Sequence, residues 1–244
     1  MRKKRMPAAV CTLAMSMATA IAVASPAAAA APAYVALGDS YSSGVGAGDY
    51  IGGSGDCYRS SKAYPALWAA AAKPSSFAFN ACSGARTDDV INNQLGSLNS
   101  ATGLVSISVG GNDVGFADVM TTCVLQSTSK CLEKVAGAEA AMDSALPAKL
   151  DRTYAAIRGR APNAEVVVLG YPKLYQLGGS CVLGLNETER GALNRASDHL
   201  NTAVGKRVAE AGFAFADVRP AFAGHEICSG SSWIHSVSFP IVNS

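Results

Sequence analysis

The chain predicts an α/β fold, a parallel sheet covered by helices on both faces, and three observations carry that expectation. Five short runs of strand composition alternate with stretches of helical spacing, the pattern of successive βα units. The first, third and fourth runs stop at glycine: Tyr34-Val35-Ala36-Leu37 at Gly38, Leu104 to Val109 at Gly110-Gly111, and Glu165 to Leu169 at Gly170. No repeat, low-complexity tract or linker interrupts residues 31–244, which makes them one domain.

Residues 1–30 stand apart. Met1-Arg2-Lys3-Lys4-Arg5 is followed by an uncharged, alanine-rich run to Ala24, then by Ala28-Ala29-Ala30. A basic start, an apolar run and small residues at the end read as a secretory signal peptide, cut after Ala30. The run is only marginally long for a membrane span, and no second segment approaches it, so no stable membrane anchor is expected. Without the leader the chain holds 16 basic and 18 acidic residues, a net charge of −2. A near-neutral domain with no basic cluster argues against nucleic acid as a partner.

Cys11 leaves with the leader, and Cys57, Cys82, Cys123, Cys131, Cys181 and Cys228 remain. An even number in an exported chain reads as three disulfides, with many connectivities open. No Cys-x-x-Cys or His-x-x-x-His spacing occurs, so no metal is expected.

The first strand runs directly into Asp39-Ser40, with a helix starting at the serine. Gly44 to Lys62 is a loop of Gly, Ser and Asp; its Gly44-x-Gly46-x-Gly48 fails as a dinucleotide motif because Asp49 occupies the next glycine position. Tyr64 to Ala72, with Pro65 near its start, is a helix. Ser76 to Ala81 is the second strand, and Cys82-Ser83-Gly84-Ala85 follows at once. Thr87 to Leu95 reads as a helix, then Leu104 to Val109 as the third strand. A helix over Val114 to Leu125 leads into the short loop between Cys123 and Cys131. Met142, Leu146, Leu150, Tyr154 and Ile157 recur at helical spacing between Glu133 and Arg158, where Pro147 should kink or split the helix. After the fourth strand, Asn186 fits an N-cap, with Ala192, Leu193, Ala196, Leu200, Ala203, Val204 and Val208 on the buried side of its helix. Asn186-Glu187-Thr188 also matches a glycosylation acceptor, which a cap explains equally well. Phe213 to Val218 is the fifth strand.

Ser40, Gly84 and Asn112 each follow one of the first three strands. Carboxyl ends of parallel strands share one rim, so the three can meet at a single site. A serine supplies a nucleophile, a glycine turn an unobstructed N–H, and an asparagine a side-chain amide donor. Together with the Ser40 N–H these make an oxyanion hole for a tetrahedral ester intermediate. Each has a structural alternative. Ser40 could cap a helix, Gly84 could serve a left-handed turn, Asn112 could brace its loop. Asp39, adjacent to the serine, is read as a loop brace.

Gly38-Asp39-Ser40 with Gly44, Gly84 in Ala-Cys-Ser-Gly-Ala, and Gly110-Gly111-Asn112-Asp113 resemble the ordered blocks of the SGNH (GDSL) hydrolases. The resemblance spans residues 31–244 and is closest to secreted bacterial lipases and esterases with three disulfides. It implies a flavodoxin-like three-layer sandwich with a five-stranded parallel sheet, Ser40 as nucleophile, and Gly84 and Asn112 as oxyanion donors. It also implies pairing in sequence order: Cys57–Cys82, Cys123–Cys131 and Cys181–Cys228. A secreted, monomeric ester hydrolase acting on acyl-lipid or smaller esters, with no cofactor, is the expectation. A carbohydrate acetylesterase or acyltransferase on the same fold, or an exported binding protein, are the alternatives.

The family's last block, Asp-x-x-His-Pro, has no match. His199 is placed on the buried side of its helix, and His225 beside Cys228 reads as structural. His235 has the right offset, but Ser232 stands where the acid should be and Ser236 where proline is usual. The general base is therefore expected beyond Ser244, in a chain cut short of that block, with His235 as the fallback.

Overall fold

The computed structural model describes residues 31–181 and 184–235. Residues 1–30, where the signal peptide is expected, residues 182–183 and residues 236–244 lie outside them. Five parallel strands form the sheet: β1 (Ala33–Gly38), β2 (Phe77–Phe79), β3 (Thr102–Ser108), β4 (Glu165–Leu169) and β5 (Ala214–Ala216). Their spatial order is β2-β1-β3-β4-β5, the flavodoxin-like arrangement. Between β1 and β2 lie α1 (Ser40–Ser43) and α2 (Tyr64–Ala72), and α3 (Thr87–Asp89) leads toward β3. The longer helices follow: α4 (Phe116–Leu125), α5 (Thr128–Ser144), α6 (Leu146–Arg160) and α7 (Glu187–Glu210), with α8 (Arg219–Phe222) after β5.

Alternation along the strands separates two apolar faces. Val35, Leu37, Val105, Ile107, Val166 and Val168 join Met142, Leu146, Leu150, Ile157, Leu193, Leu200 and Val204 in one buried core under α5, α6 and α7. On the opposite face the Tyr34 ring meets Trp68 of α2 edge-on at 4.8 Å, and its hydroxyl lies 2.7 Å from Ser106 Oγ. Helices thus cover both faces, as the alternation requires.

The long helical stretch begins earlier than the periodicity suggests, at Thr128, and splits at Ala145. Pro147 then sits in the first turn of α6, where its missing N–H has no intrahelical partner to lose. Asn186 caps α7 with its side chain, accepting from the Glu189 N–H, while Glu189 returns the bond to the Asn186 N–H.

Two expectations need correction. The helix read over Thr87 to Leu95 is irregular after Asp89, loosening through Val90–Gln94 and tightening through Leu95–Ser97. The reason is Gln94, whose amide turns in to grip both backbone groups of Gly38, accepting from its N–H at 2.7 Å and donating to its carbonyl at 2.9 Å. His199 is not a core residue. It is half-buried, and its Nε2 lies 2.7 Å from Asp143 Oδ1 across the α5–α7 seam.

All three disulfides join the pairs implied by the resemblance: Cys57–Cys82, Cys123–Cys131 and Cys181–Cys228. Among the described residues no helix is long and apolar enough to cross a membrane.

Candidate active site

Because β1 lies between β2 and β3, the chain segments leaving these strands emerge side by side at the switch point of the sheet. Backbone bonds stitch them together. The Cys82 N–H donates to the Gly38 carbonyl at 2.9 Å, and the Asp39 N–H donates to the Ser108 carbonyl at 3.0 Å. Asn112 Nδ2 donates to the Ala85 carbonyl at 3.0 Å, which closes the triangle between the second and third tips.

Gly38 has to be glycine. Its φ is +120°, and a Cβ there would overlap the Ser108 carbonyl of the neighbouring strand. The strand therefore delivers Asp39 and Ser40 tight against β3. Asp39 is buried and takes three hydrogen bonds: Ser108 Oγ at 2.6 Å, Tyr171 Oη at 2.6 Å and the Tyr41 N–H at 3.1 Å. It braces the turn, as expected from its place in the chain. Ser40, half-buried at the start of α1, is left with its hydroxyl and its N–H unengaged among the described residues.

Gly84 is exposed with φ +75° and open space around the missing Cβ, so conformation rather than packing demands glycine here. Its neighbours' amides are used: Ser83 N–H donates to the Cys57 carbonyl and Ala85 N–H to the Cys82 carbonyl, each at 3.1 Å. The Gly84 N–H has no partner among the described residues. The Cys57–Cys82 bridge anchors this turn to the loop that follows Ser40. Asn112 uses one of its two amide hydrogens on Ala85 and keeps the other.

Several supporting residues were not singled out from the sequence. Asp113, with its side chain only 1% exposed, accepts from the Thr87 N–H at 2.9 Å and its hydroxyl at 2.6 Å, and meets Lys149 Nζ at 3.2 Å. That ties the segment after Gly84 to the one carrying Asn112. Its position directly after Asn112 was the available signal. Tyr171 accepts from the Gly111 N–H at 3.3 Å while donating to Asp39. It follows Gly170 at the end of β4, so the strand-end rule could have found it.

Burial lifts the Asp39 carboxyl to about 6, although the bonds from Ser108, Tyr171 and Tyr41 favour its charged form. A carboxyl raised above its ordinary 3.8 keeps its proton longer in the folded state than in the unfolded one. Folding stability therefore falls as pH rises from about 4 to about 6 and levels off above, by up to ~3 kcal/mol from this group. Asp39→Asn is expected to remove that slope in urea titrations run between about pH 4 and 7; an unchanged slope would contradict the assignment.

The histidines divide clearly. His199 is engaged by Asp143. The His225 ring stacks on Trp233 at 3.7 Å, with Nδ1 2.6 Å from the Ser231 carbonyl oxygen. His235 is exposed on the wall of a wide groove of about 590 Å³ that Ser40 also lines. No imidazole is hydrogen-bonded to Ser40 among the described residues, and no cluster of His, Cys, Asp or Glu among them could hold a metal ion.

The model of the GDSL-like lipase/acylhydrolase family matches residues 36–235. A Streptomyces coelicolor protein named Lipase 1 is 61% identical over 243 residues, covering 98% of this chain and 90% of its own. A Streptomyces rimosus lipase is 60% identical over 211 residues, 86% of this chain and 79% of its own. Among solved structures, phospholipase A1 from Streptomyces albidoflavus NA297 superposes with a TM-score of 0.86 at 61% identity, covering 88% of this chain and 91% of its own. The extracellular lipase of Streptomyces rimosus superposes at 0.85 and 60%, covering 88% and 92%.

Proposed function

The chain belongs to the GDSL-like lipase/acylhydrolase family and is a carboxylic ester hydrolase; on that premise we propose that Ser40 is its nucleophile and that Ser40, Gly84 and Asn112 hold the oxyanion. Ser40 Oγ attacks the acyl carbonyl, and the carbonyl oxygen takes the negative charge of the tetrahedral adduct. The N–H groups of Ser40 and Gly84 and the second Nδ2 hydrogen of Asn112 receive that charge. Collapse of the adduct expels the alcohol and leaves an acyl-enzyme on Ser40, which water then cleaves. The observation that carries the reading is that the loop tips holding Ser40, Gly84 and Asn112 are bonded to one another, and that each keeps a donor with no partner among the described residues. The similarity to a phospholipase A1 and to lipases favours acyl-lipid esters as substrates. The three disulfides and the extracellular lipase among its relatives favour secretion, with the leader removed near Ala30. Action as a monomer, without nucleic acid, belongs to the same reading.

A fluorophosphonate is expected to label the protein on Ser40, located by mass spectrometry of the peptides. A protein that merely bound esters would remain unlabelled, and that result would overturn the proposal.

The serine proton needs an acceptor. His235 shares the groove with Ser40, yet Ser232 stands where an orienting acid would be. Its replacement by alanine is expected to change kcat by less than about twofold, against the 10³-fold or greater loss that would mark it as the base.

A further inference from the structure

The sheet holds the end of β1 closely but leaves Asn112 on a pliant stalk. Asp39 is tied through its N–H to the Ser108 carbonyl, where β3 ends. From Ser108 the chain still passes Val109, Gly110 and Gly111 before it reaches Asn112. Glycine carries more backbone freedom than any other residue, and here two stand in succession. The separation between Ser40 and the Asn112 amide therefore depends on contacts made outside the strands.

Tyr171 supplies a contact that reaches both sides. Its hydroxyl donates to Asp39 Oδ2 at 2.6 Å, one residue before Ser40, and accepts from the Gly111 N–H at 3.3 Å, one residue before Asn112. The phenol keeps its hydrogen, because burial and the adjacent Asp39 carboxyl hold it well above its ordinary 10. Tyr171 is itself clamped. Asn201 of α7 grips its backbone twice, accepting from its N–H at 2.8 Å and donating to its carbonyl at 2.8 Å. A Cβ on Gly170 would lie 2.5 Å from Asn201 Oδ1, so a side chain there would push this grip apart. The Tyr41 ring meets the Tyr171 ring edge-on at 5.1 Å. The hydroxyl is thus a fixed peg between two turns.

We propose that Tyr171 is a positioning residue for ester hydrolysis: its hydroxyl sets the distance between the Ser40 turn and the Asn112 turn, and so aligns their donors on one oxyanion. It acts through these neighbours rather than on the substrate. Its contribution is preorganisation, donors held in advance where negative charge develops. A misplacement of about 1 Å in such a group costs on the order of 10²-fold in rate. The assignment rests on the reading of Ser40 as nucleophile and Asn112 as oxyanion donor.

The test applies two probes to wild type, Tyr171→Phe, Asn112→Ala and the double variant. One is hydrolysis of p-nitrophenyl butyrate; the other is binding of butylboronic acid, which forms a tetrahedral, negatively charged adduct on a serine. Tyr171→Phe keeps the ring and removes only the hydroxyl. It is expected to lower kcat by about 10- to 100-fold with KM within about twofold, and to weaken the boronic acid by a similar factor. With Asn112 already replaced, the same change should cost less than about threefold, because the amide it aligns is gone. Ser108→Ala is the control. It removes the other hydroxyl bond to Asp39 without touching Gly111, so its loss should add to that of Asn112→Ala. No loss in Tyr171→Phe, a loss undiminished in the Asn112→Ala background, or the same coupling in Ser108→Ala would overturn the proposal. Boronic acid binding that persists in Ser40→Ala would instead remove the nucleophile assignment. The Gly111 amide still reports on the peg in that case: it is expected to exchange with deuterium at least about tenfold faster in Tyr171→Phe, and unchanged exchange would overturn the link.

Discussion

Replacing Ser40 by alanine is expected to lower kcat on a short-chain ester by about 10⁴-fold or more, with KM nearly unchanged. The split follows from the geometry. Ser40 contributes no hydrogen bond from its hydroxyl to the resting fold among the described residues, so its loss leaves the Asp39 brace and the Gly38 contact with Gln94 intact. What disappears is the atom that forms the acyl bond. The same variant should retain the wild-type urea midpoint and lose fluorophosphonate labelling. A fall in stability that accounted for the lost activity would mean Ser40 is a cap and no more.

Asn112→Ala carries the second largest effect, an expected 10²–10³-fold loss in kcat with little change in KM. Its side chain has two hydrogens with separate duties. One holds the Ala85 carbonyl at 3.0 Å and so positions the Gly84 turn; the other has no partner among the described residues and is the one proposed to receive the oxyanion. Alanine removes both. Asn112→Asp separates them, because a carboxylate cannot donate to either and would also place negative charge beside the developing oxyanion. It is expected to be worse than alanine. Equal kcat in Asn112→Ala and wild type would exclude this side chain from the oxyanion hole.

Much of this site could be read from local sequence because its parts are local: glycine ending a strand, a serine or asparagine immediately after. Parallel βα alternation alone brings such tips to one rim, and Ser40, Gly84 and Asn112 lie there. The strand order β2-β1-β3-β4-β5 was not legible, since no local signal records which strands pair across a crossover. Nor were the long-range braces. Tyr171 reaches Asp39 across 132 positions, and Lys149 reaches Asp113 across 36. Such pairs leave no periodicity to detect. His199 shows the limit of helical counting. It sits beside Leu200 on α7, close enough to the apolar stripe to be grouped with it, yet its ring turns to the seam where Asp143 supplies a partner. The irregular segment after Asp89 has the same origin, because Gln94 serves the end of β1 rather than its own helix.

Three donors are proposed to converge on one developing negative charge. A crystal structure of the protein phosphonylated on Ser40 tests it most directly. The phosphonyl oxygen is expected within about 2.7–3.1 Å of the Ser40 and Gly84 nitrogens and of Asn112 Nδ2. An adduct whose oxygen points to solvent, away from Gly84 and Asn112, would contradict it.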